Sequence, residues 1–270
     1  FTLLAAGVAL SLVLSAKEHG FRAWVLLPPF AMLALTVGSL AAINTWDYPS
    51  YLLLGAGSLG LAYYAAHRRV DARLLGVTVL GGVLLAALSY LAFLPFHHRY
   101  VPFSLGLHLS ETRTALHQYV AIHGLFLFFV LSYLVYESRD YVWRLWELGK
   151  LRTILLILAA LLAVAGLATL DLLVEANFGT LPVLLLLVAS VVLLAVQRLR
   201  QSDEENPHHL FLLALLGGAL AIEIAADLVT VNNDIDRMNT VFKLYLQAWV
   251  LFGLAGGVIL WYLTTAWGKP

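Results

Sequence analysis

Cysteine is absent from the 270 residues, so neither a disulfide nor a thiolate metal site is available. Charge is scarce: 12% of residues are Asp, Glu, Lys or Arg, against 61% hydrophobic. Sixteen basic and sixteen acidic residues cancel, which leaves no general attraction to nucleic acid. A long linker, a low-complexity tract and an internal repeat are also missing. Together with a mean hydropathy of +0.88, these shortages exclude an ordinary soluble domain. The chain contains instead a series of apolar runs near the roughly 20 residues that cross a bilayer. The expected fold class is all-α, a polytopic transmembrane helical bundle whose surroundings are membrane lipids.

About nine spans are expected, near 1–16, 23–44, 51–67, 74–94, 115–136, 152–174, 180–197, 208–231 and 243–266. Pro28 and Pro29 fall inside the second and should kink it. The run 1–16 lacks a basic leader region, so it does not read as a signal peptide. At about 1.5 Å per residue it is also short for a ~30 Å hydrocarbon core. Residues 1–270 are therefore read as one transmembrane domain, the C-terminal portion of a longer chain. Basic residues concentrate on alternate connections, for example Lys17, Arg68, Arg69, Arg139, Arg144, Lys150 and Arg198. That bias puts those connections in the cytoplasm and the remaining, more elaborate loops outside.

The outer loops carry the candidate chemistry. Asn44, Trp46 and Asp47 lie in NTWDYPS (44–50). Asp47 is a candidate base or cation ligand; the plainer reading is a helix-start acid, with Asn44 as a cap and Trp46 in an interfacial belt. The connector 95–119 holds His97, His98 and His108, candidate ligands for a divalent cation such as Mg or Mn, although no pair has the i, i+4 spacing of a helical metal site. It also holds Arg113, an arginine on the side that the charge bias disfavours, which an anionic ligand would explain.

Two acidic pairs sit at i, i+4, Glu223 with Asp227 and Asp171 with Glu175. Like charges on one helix face repel unless a cation, a proton or a basic partner intervenes. Arg237 and Lys243 are the nearest basic residues to the first pair, and a helix-locking ion-pair network is a full alternative to catalysis there. The densest polar stretch is DIDRMNTVFKLYLQAW (234–249). Asp234 and Asp236 are candidate catalytic acids. Asn239, Lys243 and Gln247 form one stripe, and a helix N-terminus beside Arg237 and Lys243 suits a phosphate or pyrophosphate.

INTWDYPSYLLL, LPFHHRYVPF and DRMNTVFKLYLQAWVLFGLA together resemble a multi-pass membrane family of Chloroflexi and archaea, a domain of unknown function named for a Tyr-Tyr-Tyr motif. The resemblance runs over nearly the whole chain. It implies a prokaryotic cytoplasmic membrane, and the family's Tyr-Tyr-Tyr and Asp-Leu-His-x-His segments would lie upstream of Phe1. The family is distantly similar to GT-C glycosyltransferases, which take polyprenyl-phosphate-linked sugars at the outer face. What this implies is a GT-C-like transferase, with Asn44, Trp46, Asp47, Arg237, Asn239, Lys243 and Gln247 as family-motif positions. The general base in such enzymes is usually an acid in the first external loop. The rival expectations are a transporter or lipid-binding protein using Glu223, Asp227 and Lys243, and a structural subunit of a larger membrane complex.

Overall fold

The computed structural model describes residues 1–101, 106–174, 178–200, 206–232 and 234–267. The helices are α1 (Thr2–His19), α2 (Ala23–Ile43), α3 (Asp47–His67), α4 (Ala72–Ala92), a single turn α5 (Leu94–His97), α6 (Leu116–Glu147), α7 (Leu151–Val174), α8 (Leu181–Leu199), α9 (Asn206–Leu228) and α10 (Met238–Trp267). Each expected span falls on one of the long helices. Six of these, α2, α4, α6, α8, α9 and α10, are long and apolar enough to cross a membrane. The shortfall against nine has local causes. α1 ends in Lys17, Glu18 and His19, and α3 is diluted by tyrosine, glycine and serine. In α7 the described apolar run is the shorter Leu151–Leu167. α2 continues through Pro28 and Pro29 to Ile43.

One departure from an all-helical chain is a two-stranded antiparallel ribbon. β1 (Leu107–Leu109) pairs with β2 (Val229–Val231), with His108 opposite Thr230. Three residues a side are too few for a period-2 signal to stand out, and the alternation expected of a strand needs four or more.

The chain divides into two compact units, 1–105 with 195–218, and 106–194 with 219–270. In the first unit, α1 packs on α3 and α2, and α4 packs on α2 and α3. Small residues make this closeness feasible, since helices in lipid associate through van der Waals contact of near backbones. A Cβ at Gly38 in α2 would lie 2.6 Å from the Ser89 carbonyl of α4, so only glycine fits there. Asp71 starts α4, its Oδ1 accepting from the Arg73 and Leu74 N–H groups at 3.0 and 3.1 Å. In the second unit α10 packs on α6, α6 on α7, and the ribbon joins the end of α9 to the segment before α6.

Candidate functional site

A helix C-terminus leaves unsatisfied carbonyls and a partial negative charge, and the end of α9 answers both with arginine. Arg237 Nη2 donates to the Ala226 carbonyl at 2.8 Å, and Arg113 Nη1 to the Asp227 carbonyl at 2.9 Å. The Ser110 N–H donates to the Leu228 carbonyl at 2.9 Å. The Asp227 side chain, fully buried, organises the same place. Its Oδ1 accepts from Arg237 Nη2 at 3.0 Å and from the Thr114 N–H at 2.9 Å, and its Oδ2 from Thr180 Oγ1 at 2.7 Å. Arg237 Nη1 also donates to the Thr112 carbonyl. The helix-locking ion pair read from the sequence is thus Arg237 with Asp227. Arg237 needs no anion to account for its position.

Asp236 and Arg237 both adopt left-handed backbone, at φ 49° and 66°. Aspartate tolerates that region better than most residues, and the multiple bonds of the Arg237 guanidinium hold the turn. This turn leads into α10, whose first N–H groups were expected to await a phosphate. Asp234 fills that role instead, accepting from the Asn239 N–H and Nδ2, both at 3.0 Å, and from Thr240 N–H and Oγ1 at 2.7 and 2.6 Å. Partial burial opposes ionisation of Asp234, but the hydrogen bonds from Thr240 and Asn239 outweigh it and hold the carboxyl below the usual aspartate range. Asp234 is therefore a helix cap rather than a free catalytic acid.

Beside this junction lies an open pocket of about 710 Å³. Arg113, Gln118, Asp236 and Arg237 bring polarity to its wall, Tyr245 and Trp249 supply aromatic faces, and Met238, Phe242 and Leu246 an apolar stripe along α10. Arg113 is half-buried, and its Nε and Nη2 carry no hydrogen bond among the described residues. Asp236 is exposed at the rim, its carboxylate likewise without a described partner. A guanidinium with spare donors, a carboxylate and an apolar stripe on one rim can hold an anionic headgroup, assist a proton transfer and seat a hydrocarbon tail.

Deeper in the same unit a second polar cluster is sealed off. Glu223, Tyr119 and His123 are all fully buried. Tyr119 Oη donates to Glu223 Oε2 at 2.5 Å, and His123 Nε2 lies 3.2 Å from Glu223 Oε1. Glu223 is a candidate from the sequence; Tyr119 and His123 are not among those candidates. The signal was available, because Tyr119 and His123 share a face of α6 at i, i+4, matching Glu223 and Asp227 on α9.

The remaining expected site residues are spread out. In the first unit, Asn44 ends α2 with its N–H on the Leu40 carbonyl, Trp46 precedes α3, and Asp47 is a buried residue of the first α3 turn. His97 stacks on Tyr90 at 4.2 Å, and His98 is exposed. In the second unit, exposed His108 pairs through Nδ1 with Asn232 Oδ1 at 3.1 Å. Asn239 is exposed and bound to Asp234, while Gln247 is buried. Lys243 is half-buried and forms no ion pair among the described residues. Glu175 lies outside the described residues, and Asp171 is described only as backbone of α7. No three His, Asp or Glu side chains among the described residues come together as a metal-ligand set.

No curated protein and no solved structure matches the chain. A family model described as "Uncharacterized membrane protein (DUF2298)" matches residues 1–252, nearly the whole length. Multi-pass helices and this match agree, and the chain belongs to the DUF2298 family of membrane proteins.

Proposed function

We propose that this protein is a GT-C-like membrane glycosyltransferase that moves a sugar from a polyprenyl-phosphate donor to an acceptor hydroxyl, at the external face of a prokaryotic cytoplasmic membrane crossed by nine spans. The observation that carries the reading is the pocket of about 710 Å³ in which Arg113 and Asp236 share a rim with the apolar stripe Met238, Phe242 and Leu246. A lipid phosphate is an amphiphile of that description. Arg113, through its spare guanidinium donors, stabilises charge as the lipid phosphate departs. Asp236 accepts the proton of the attacking hydroxyl, and the bond from the sugar to phosphate oxygen breaks as the new glycosidic bond forms. Arg237 acts by holding the turn that presents Asp236.

The test is turnover of a radiolabelled polyprenyl-phosphate sugar by the full protein in liposomes. Asp236→Asn, a substitution that suits left-handed backbone, should lower turnover by about 10²–10⁴, and Arg113→Ala by about 10²–10³. Wild-type rates in both variants would sink the reading. One observation favours the alternative of a non-enzymatic structural subunit: the Arg237 and Asp227 charges are matched within the chain itself. Purification in a stoichiometric membrane complex without transferase activity would select that alternative.

A further inference from the structure

The pocket chemistry above makes no use of Glu223, although this acid is enclosed more completely than any group on the pocket rim. The groups that face it come from three elements. α6 supplies Tyr119 and His123, α9 supplies Asp227, and α10 supplies Tyr245. Arg237, in the turn before α10, acts on Asp227 and Tyr245 and is paired with Asp227 at 3.0 Å. Aromatic rings close the rest of the shell, with Tyr245 edge-on to His123 at 4.7 Å and Trp249 and Phe252 at 6.2 and 6.4 Å.

An ionised Glu223 beside a neutral imidazole would leave a net negative charge in that shell, supported among the described residues by the Tyr119 hydroxyl alone. Burial of an uncompensated ion is strongly unfavourable. One proton removes the problem, either on the carboxyl or on the imidazole. The two atoms that would hold it, Glu223 Oε1 and His123 Nε2, lie 3.2 Å apart, and neither has a well-aligned hydrogen-bond partner among the described residues. We propose that Tyr119, His123 and Glu223 form an intramembrane proton-binding site that holds one proton between His123 Nε2 and Glu223 Oε1. The proton comes from water and returns to it, and no electron moves. Tyr245 and Trp249 also line the pocket, so the bound proton sits one aromatic layer behind the pocket wall. Its uptake or loss changes the charge there by a single unit.

The experiment is infrared difference spectroscopy of the full chain in lipid nanodiscs, stepped between neutral and alkaline pH in H₂O and D₂O with no lipid substrate added. The expected result is a carboxylic acid or imidazolium signal at neutral pH that shifts in D₂O and is lost on alkalinisation. Release of one proton per chain should accompany that loss. Glu223→Gln, a neutral isostere, should abolish both signal and proton release. Tyr119→Phe removes the bond to Oε2 and should shift the signal, which identifies it even where Glu223→Gln fails to fold. Absence of both the carboxylic acid and the imidazolium signal from the wild type, or undiminished proton release by Glu223→Gln, overturns the proposal. Because no lipid donor is present, this outcome is independent of the transferase reading.

Discussion

Replacing Asp227 with alanine tests how the end of α9 is held. The side chain accepts three hydrogen bonds, from Arg237, Thr114 and Thr180, and is fully buried. Its removal strands Arg237, which is only 7% exposed, as an uncompensated charge in a poorly polarisable place. Breaking one partner of a buried ion pair costs about 3–5 kcal/mol. Losing the acceptor for Thr114 and Thr180 is part of that cost rather than an addition to it, since the same carboxylate serves all three donors. For a chain of this size the loss corresponds to a fall in apparent Tm on the order of 10 °C.

The assay is thermal unfolding in one detergent, scanned at a fixed rate, for Asp227→Ala, Arg237→Ala and the double substitution. If the pair acts as a unit, the double variant should be no less stable than the worse single variant, because it removes both charges together. A coupling of about 1–3 kcal/mol is the expected signature. Unfolding of Asp227→Ala within a degree or so of wild type, or simple addition of the two single losses, would refute a coupled pair.

Three further outcomes follow from local geometry. Arg237→Lys should behave almost like Arg237→Ala in the same unfolding assay, because a lysine cannot reach the Thr112 and Ala226 carbonyls and the Asp227 carboxylate together. Asp234 is held below its ordinary pKa by the Thr240 and Asn239 bonds despite partial burial. Its contribution is therefore complete above the unfolded aspartate value of about 4 and disappears as pH falls through the lower folded value. The Tm gap between wild type and Asp234→Asn should be constant near neutral pH and close under acid. Gly179→Ala should cost about 1–2 kcal/mol from left-handed backbone alone, since Gly179 sits at φ 57°. The added Cβ would also lie 2.7 Å from the Thr114 carbonyl, so a loss of Tm of several degrees is expected, and an unchanged Tm would contradict the turn geometry.

The helices were readable because a bilayer demands long uninterrupted apolar runs, a demand that leaves its mark in composition alone. α4 and α8 show this plainly, with hardly a charge inside either. α3 did not match as well, since Tyr51, Tyr63 and Tyr64 serve buried packing in the first unit rather than lipid contact. At the site, the ion-pair alternative for Asp227 was legible from i, i+4 spacing, but its further partners Thr114 and Thr180 are 113 and 47 residues away in sequence. No local pattern encodes such a meeting. Asp234 illustrates a different failure. An acid six residues before Thr240 resembles a catalytic candidate, and only the left-handed turn at Asp236 and Arg237 folds it back onto the start of α10.

These assignments change what the polar residues of the second unit are for. Asp234, Asp227 and Arg237 would be attractive as catalytic groups if their bonds were unknown, yet Asp234 caps the start of α10 and Asp227 and Arg237 are paired with each other at the end of α9. A helix terminus in a membrane protein cannot leave its N–H or carbonyl groups to lipid, so charged residues at such ends have a structural job whether or not a ligand ever binds. What remains after that requirement is met is a shorter and more informative set, Asp236 and the Nε and Nη2 donors of Arg113 at the pocket rim and Glu223 with His123 behind it. Chemistry in this unit is to be sought among groups whose bonds the fold has not already claimed. Substitution of Asp236 should therefore affect ligand handling more than thermal stability, that of Arg113 should affect both because its Nη1 also holds the Asp227 carbonyl, and those of Asp227 and Arg237 should act mainly on stability.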